Sequence, residues 1–137
     1  MRHPVEQAFL TARRHAGVAV TYKRFKEMTY HPDTGETKTF WEEVALTAVA
    51  GSVTQRELEH GGGTLQVGDR WIVLPKSAFT KQAGEQAEPE PREGDEVVFP
   101  DGTVWGPVPT GSAQERSAVF REDPTGTLWQ VFLRRLG

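Results

Sequence analysis

The sequence has no cysteine, no long apolar run and no excess of basic residues. Its 137 residues include 16 Lys and Arg against 19 Asp and Glu, for a net charge of −3. Without cysteine there can be no disulfide framework, thiolate metal site or thiol nucleophile. Since the apolar stretches are short, we expect neither a membrane-spanning helix nor a secretion signal at Met1–Glu6. The negative net charge argues against a protein that binds a nucleic-acid backbone through bulk electrostatic attraction.

The residues that are present are those of one soluble domain. Hydrophobic residues make up 36% and charged residues 26% of the chain, with 14 glycines and 9 prolines. A chain of this length supports one modest hydrophobic core, and the glycines and prolines indicate several surface loops. We therefore expect a single domain over residues 1–137.

Motifs for catalysis or for cofactor binding are weak. The glycine triplet at 61–63 is followed by Thr64-Leu65 instead of the Lys-Ser or Lys-Thr of a phosphate loop, which favours a flexible turn. The four histidines lie in four separate segments without ligand spacing, and no serine shows nucleophile-elbow spacing. We therefore predict no catalytic, cofactor-binding or metal-binding residues, and a protein that is not an enzyme.

The N-terminal region has the pattern of one short helix over residues 4–16. Proline suits the first helical position, apolar residues recur at helical spacing from Val5 to Ala12, and Gly17 follows as a stop. One amphipathic helix must dock elsewhere to bury its apolar face, and Phe9 is the expected anchor. Docking on the same chain and docking on a neighbouring chain both remain open.

Most of the remaining sequence is typical of β-strands. Apolar residues alternate over Val18–Lys23, Trp41–Ala50 and Thr127–Arg135, and Ser117–Phe120 is also interpreted as a strand. The four tryptophans fall in strand-like segments, where packing is favoured over an exposed binding face. About seven short strands predict an all-β fold, a small antiparallel β-barrel or sandwich, with its body over residues 18–79 and 94–136.

Two phrases share one local pattern, Gly68-Asp69 before Arg70–Leu74 and Gly94-Asp95 before Glu96–Phe99. Glycine allows a positive φ, and aspartate can bond its own neighbouring backbone, so each phrase predicts a tight turn that starts a strand. We interpret both turns as scaffold.

Two segments are predicted to project from this scaffold. From Gln82 to Glu96 there are six acidic residues and one basic residue, and the prolines favour extended backbone, so residues 80–93 form an acidic loop. It is either a solvated tether or a segment that orders against another subunit. The turn chemistry of residues 30–36 predicts a hairpin-like excursion, and Asp33 to Phe40 is the second predicted projection. The candidate partner-contact residues are Asp33, Thr34, Gly35, Glu36, Glu85, Glu88, Glu90 and Arg92.

The succession of segments along the chain resembles a known family, the head-tail joining proteins of tailed bacteriophages, also called head-completion or stopper proteins. The matching segments are Val20–Arg24, Asp33–Glu36, a long strand ending near Val49, Gly68–Leu74, Gly94–Val98, Asp101–Trp105 and Gln130–Arg134. They span nearly the whole chain, although each is weak alone. The initial helix and the acidic loop are less typical of the family.

The resemblance implies a structural protein of the virion neck, made in the host cytoplasm. Such proteins form a ring, here expected to be six- or twelve-fold, between the portal with its adaptor and the tail-end proteins. The ring closes the channel after packaging and offers a docking surface to the tail, while double-stranded DNA passes without specific binding and no membrane is involved. Two alternatives remain open: another neck component, such as an adaptor or tail-end protein, or a small β-barrel that binds a peptide or nucleic acid.

Overall fold

Antiparallel β-strands dominate the structure, a computed structural model that describes residues 4, 7–8, 17–60, 63–79 and 90–137. The strands in this part of the chain are β1 (Gly17–His31), β2 (Glu36–Ser52), β3 (Arg70–Pro75), β4 (Glu96–Val98), β5 (Val104–Pro107), β6 (Phe120–Glu122) and β7 (Leu128–Arg135). The short helices are α1 (Gln55–His60) and α2 (Ala113–Val119), and a 3-10 turn spans Lys76–Ala78.

The sheet closes on itself. Its strands are ordered β3-β2-β1-β4-β5-β7, and pairing of β3 with β7 from Arg70–Leu133 to Pro75–Leu128 completes a six-stranded ring. β6 adds a further short strand to β7. The prediction of a small all-β barrel of about seven strands is confirmed.

Strand alternation places the core inside this ring. Val20 and Tyr22 face inward from β1, and Trp129, Val131 and Leu133 do so from β7. These are the faces that the period-two pattern predicts. Full burial of an aliphatic side chain of this kind is worth about 1.5–3 kcal/mol, so the alternation also sets the register of the barrel.

The interpretation of Ser117–Phe120 as a strand is wrong for most of its length. Helix α2 runs to Val119, and β6 begins only at Phe120. The helix starts because the Ser112 hydroxyl accepts from Glu115 N at 3.2 Å while the Glu115 carboxylate accepts from Gly111 N at 2.6 Å. Side chains that satisfy the first free backbone N–H groups in this way stabilise a helix start.

The hairpin of β1 and β2 extends well beyond the barrel. β4 pairs with β1 only over Thr21–Lys23, and β3 pairs with β2 only over Val49–Ser52. Among the described residues, the two strands then pair only with each other out to His31 and Glu36. We call residues 24–42 the arm, and at 3.2–3.4 Å per residue it reaches roughly 20 Å. The arm end of the barrel is the end it leaves; the far end carries Ser52 and Arg70.

Several predictions fall partly or wholly outside the described residues. Of the predicted helix over 4–16, Pro4, Gln7 and Ala8 are described and are helical, whereas Phe9 is not described. Residues 80–89 of the acidic loop, with Glu85 and Glu88, are likewise outside the described ranges. No helix in the described part of the chain is long and apolar enough to span a membrane.

Candidate functional site

The predicted contact residues Asp33, Thr34, Gly35 and Glu36 lie at the tip of the arm. Thr34 N and Gly35 N donate to His31 O at 3.3 and 2.8 Å, and Gly35 has φ +72°, a conformation that favours glycine. All four residues are exposed. The turn chemistry of the sequence therefore gives a tight, fully accessible tip with two carboxylates.

The arm is fixed to the barrel at Phe25, just past the last β1–β4 pair. Phe25 N donates to Asp95 Oδ1 at 2.8 Å, and the Arg92 guanidinium donates to Phe25 O. Two side chains thus satisfy both main-chain groups of Phe25, as a neighbouring strand would do. We call Arg92 and Asp95 the Phe25 clamp.

Asp95 is itself held from several sides. Its Oδ2 accepts from the Tyr22 hydroxyl at 2.7 Å and from Arg92 N at 2.9 Å, and both Asp95 and Tyr22 are buried. Burial raises the pKa of the Asp95 carboxyl, and the hydrogen bonds from Arg92 N, Phe25 N and Tyr22 offset this only in part. Burial, with the nearby Asp95 carboxylate, also raises the pKa of Tyr22 well above its usual value, so its hydroxyl remains a donor.

A β-bulge follows directly after the clamp. The register shifts between Phe25 and Glu27, which leaves Lys26 as the extra residue. Glu42 on the opposite strand lies 2.7 Å from Arg24 Nη1 and 3.4 Å from Lys26 Nζ. Bulges bend a strand and increase its twist, so the bulge with its ion pairs sets the direction in which the arm leaves the barrel.

The end of the acidic loop that the structure describes lies against the barrel. Pro91 is fully buried, Glu93 Oε1 accepts from Thr110 N at 2.9 Å, and Glu90 lies 3.5 Å from Arg116. This end of the loop is therefore anchored at residues 90–93. The structure brings Arg92 to the root of the arm, the length of the arm away from the tip residues.

The tryptophans serve mainly as packing residues. Trp105 and Trp129 are buried in the core, and the Trp71 ring covers Gly51, where a Cβ would lie only 2.4 Å from it. Trp41 Nε1 donates to Gly94 O at 3.4 Å beside the clamp. The described residues contain no group of three or more His, Asp or Glu side chains placed to hold a metal ion.

Sequence reasoning missed the clamp, although it singled out the Gly94-Asp95 phrase. The local pattern predicts the turn, but the bonds to Tyr22 and Phe25 join residues about 70 positions apart and depend on the pairing of β1 with β4. The available signal was that both phrases place an aspartate where its carboxylate can reach beyond its own turn.

The comparisons with known proteins concern the fold. No protein-family model matches the sequence, and no curated protein matches it. Among solved structures, the solution structure of protein SF1141 from Shigella flexneri 2a is similar, with a TM-score of 0.57 and 18% sequence identity. The match covers 86% of this chain and 90% of that chain. At this identity the likeness supports a shared fold and nothing further.

Proposed function

We propose that this chain is a structural protein of a bacteriophage neck, a head-completion or stopper component that forms a ring between the portal with its adaptor and the tail. The proposal is supported by the order of segments that resembles this family and by a small barrel that suits a ring subunit. The single observation that carries it furthest is the arm, a two-stranded projection clamped at its root.

The arm has the properties that a joining protein needs. Its tip is exposed and reaches roughly 20 Å from a closed barrel, so it can contact a neighbouring subunit or line a channel without disturbing the core. Asp33 and Glu36 at the tip repel DNA phosphates, and the net charge of −3 on the whole chain acts in the same direction. A conduit through which DNA passes without adhering requires such a surface.

Deletion of the gene tests the proposal. Electron microscopy is expected to show DNA-filled or leaking heads separated from tails, and wild-type protein supplied in trans should restore complete virions. Complete infectious virions formed without the chain would overturn the proposal.

A variant with a shortened arm tests the role of the projection. Residues 28–39 are replaced by Asn-Gly, which closes a two-residue hairpin between the paired residues Glu27 and Phe40 and leaves the clamp in place. We expect this variant to unfold cooperatively like wild type and to fail in joining heads to tails. Gln114→Ala, on the exposed side of α2, is the matched control and should join normally. Normal joining by the shortened variant would show that the arm is dispensable.

Salt-dependent DNA binding separates this proposal from a nucleic-acid-binding barrel. A binding module should retain short double-stranded DNA at low salt and lose it steeply as salt rises, because released counterions dominate such binding. The neck protein is expected to show little affinity at any salt concentration.

A further inference from the structure

Both mouths of the barrel are crossed by an arginine that lies on aromatic rings, and at the arm end its charge is neutralised. The Arg24 guanidinium lies 5.4 Å from the centre of the Phe79 ring and 2.7 Å from Glu42, while Arg24 is only 7% exposed. A guanidinium over an aromatic ring gains cation–π attraction, and its carboxylate partner compensates the burial of its charge. The arm-end mouth is therefore both closed and charge-balanced.

At the far-end mouth the arginine makes no ion pair with a carboxylate of the described residues. Arg70 lies 4.6 Å from the Trp105 ring centre and 5.3 Å from that of Phe99, and it is half-buried. Within the described residues, the side chain of Arg70 makes no ion pair and no hydrogen bond. Asp101 lines the same mouth, and its carboxylate accepts from Thr103 N at 2.9 Å and from the Thr103 hydroxyl at 2.6 Å. These hydrogen bonds, and to a lesser extent the charge of Arg70, lower the pKa of Asp101. The far-end mouth thus presents a guanidinium with its donors free.

A cavity of about 350 Å³ opens beside this guanidinium. Its walls combine apolar residues with Arg70, Ser52 and Asp101, and the apolar residues are Val18, Ala50, Phe99 and Pro100. Arginine binds carboxylates with two parallel hydrogen bonds, and stacking on two rings restricts the orientation of the guanidinium in advance. The chemistry fits a carboxylate next to an apolar or aromatic side chain.

The tip of the arm carries that combination. Tyr30 is 65% exposed, which is unusual for a large hydrophobic side chain in this protein, and Asp33 and Glu36 are exposed beside it. The arm leaves the barrel at the end opposite Arg70, so a tip cannot reach the mouth of its own barrel. Contact between the two surfaces therefore requires two copies of the chain.

We propose that the arm tip of one copy binds the far-end mouth of the next, with Tyr30 against the apolar wall and a tip carboxylate on Arg70. The two surfaces differ, so the contact is head-to-tail and can repeat from copy to copy, closing a ring when the rotation permits. This contact joins the subunits of the proposed ring, and in that respect the proposal rests on the proposed function. Arg70 is the carboxylate-binding residue of the contact.

Disulfide trapping tests the contact directly, because the chain has no cysteine of its own. Chains carrying Ser52→Cys at the mouth are mixed with chains carrying Thr34→Cys at the tip and oxidised, which captures weak association. We expect cross-linking of the Thr34→Cys and Ser52→Cys chains to exceed cross-linking of Gln114→Cys with Ser52→Cys about tenfold, the usual worth of a charge-assisted hydrogen bond. Equal cross-linking from positions 34 and 114 would overturn the proposal.

Variants of Arg70 establish its role. Arg70→Met keeps the apolar stem over the rings and removes the charge, so trapping at Ser52→Cys should fall about tenfold while thermal unfolding stays cooperative. Arg56→Met, on exposed α1, is the control for a general loss of charge and should leave trapping unchanged. Equal loss of trapping in both variants would contradict a specific site at Arg70.

Exchanging the charges of the mouth and the tip distinguishes a loss of charge complementarity from a disruption of the fold by the substitutions. Arg70→Glu chains and chains with both Asp33→Lys and Glu36→Lys should each fail to be trapped alone, because like charges then meet, whereas their mixture should be trapped again. Failure of the mixture overturns the contact, and so does Arg70-dependent binding of short double-stranded DNA. The proposed function fails separately, if gene deletion leaves virions complete, while a ring that forms normally with Arg70→Met disproves only this contact.

Discussion

The two Gly-Asp turns have the same backbone design at opposite ends of the barrel. In Gln66–Asp69 at the far end and Arg92–Asp95 at the arm end, glycine has φ +97° and +94°. In each turn the aspartate N donates to the carbonyl three residues earlier, at 3.0 and 3.3 Å, and the carboxylate accepts from the N–H of that residue, at 2.8 and 2.9 Å. Local sequence alone accounts for this shared part.

The turns differ in the distant partner of the carboxylate. Asp69 receives two hydrogen bonds from Arg134, each at 3.0 Å, which tie the start of β3 to β7 where the barrel closes. Asp95 receives the Tyr22 hydroxyl and the Phe25 amide, which tie the start of β4 to the root of the arm. The same phrase thus serves barrel closure in one place and arm attachment in the other, according to the strand it faces.

Replacing the two aspartates of these turns should cause the largest losses in the free energy of unfolding. The loss should be larger at the arm-end turn than at the far-end turn. Asp95→Ala leaves Tyr22, Phe25 N and Arg92 N without their acceptor in a buried site, and we expect a loss of about 3–4 kcal/mol in the free energy of unfolding. Asp69→Ala should lose about 2 kcal/mol, because Arg134, with 30% of its side chain exposed, can be hydrated instead. Urea denaturation followed by circular dichroism measures both losses.

Hydrogen exchange adds a local check on this pair. After correction for the loss of global stability, the Phe25 amide should exchange faster in Asp95→Ala than in wild type. In Asp69→Ala, corrected in the same way, it should remain as protected as in wild type. Equal protection of Phe25 in the two variants would mean that Asp95 does not hold the arm.

Removing the distant partners should give losses that are smaller on average and in the opposite order. Arg134→Met leaves the buried Asp69 carboxylate without its cation, and we expect a loss of about 2–3 kcal/mol. Tyr22→Phe removes one of several donors to Asp95 and fills the same core volume, so about 1 kcal/mol is expected. Thermal and urea unfolding compare the two, and a larger loss in Tyr22→Phe would show that the charge pair at Asp69 is not the stronger anchor.

Much of the barrel was predictable because inward and outward residues alternate along its strands. The faces of β1 and β7 follow from period two, and the tip turn follows from its proline and glycine. The length of the arm did not follow, because Trp41–Ala50 was expected as the second strand while β2 begins at Glu36. Polar and β-branched residues at 36–39 have no buried face to mark them as strand, and they pair only with β1.

The residues of the candidate sites were harder to foresee than the strands. Arg70 looks like an ordinary strand residue, and its position across a barrel mouth follows only from closure of β3 on β7. Arg92 was selected as part of an acidic loop, yet its guanidinium bonds to Phe25, 67 residues away. Such pairings depend on sheet topology, which alternation does not specify.

Substituting the glycines tests the shared backbone design. Both positions have positive φ, so alanine should destabilise each turn by about 1–2 kcal/mol. Nothing lies within 4 Å of a Cβ at Gly68, whereas the Phe25 ring lies 3.2 Å from a Cβ at Gly94. Gly94→Ala is therefore expected to lose more stability and also to loosen the arm root. Equal losses by urea denaturation would show that the Phe25 ring moves aside freely.

The smallest expected effect is the pH dependence of Asp95, because hydrogen bonds offset part of its burial. Since the folded-state pKa is raised, the unfolded chain releases this proton more readily, and the contribution of Asp95 is full below about pH 3.9 and lost as pH rises through the folded-state pKa. The free energy of unfolding of wild type minus that of Asp95→Asn should therefore be constant below about pH 3.9, fall as pH rises above it, and then level off.

Asp123 offers a control with the opposite sign. Burial raises its pKa, but the Thr125 hydroxyl and the backbone N–H groups of Leu128, Thr125 and Thr127 outweigh that effect and lower the pKa to about 2. Its contribution is present above about pH 3.9 and is lost as pH falls toward 2. Wild type minus Asp123→Asn should therefore rise with pH from about 2 to about 3.9, whereas wild type minus Asp95→Asn falls above about pH 3.9. Slopes of the same sign would show that burial does not dominate at Asp95, and the two Gly-Asp turns would then differ in partners alone.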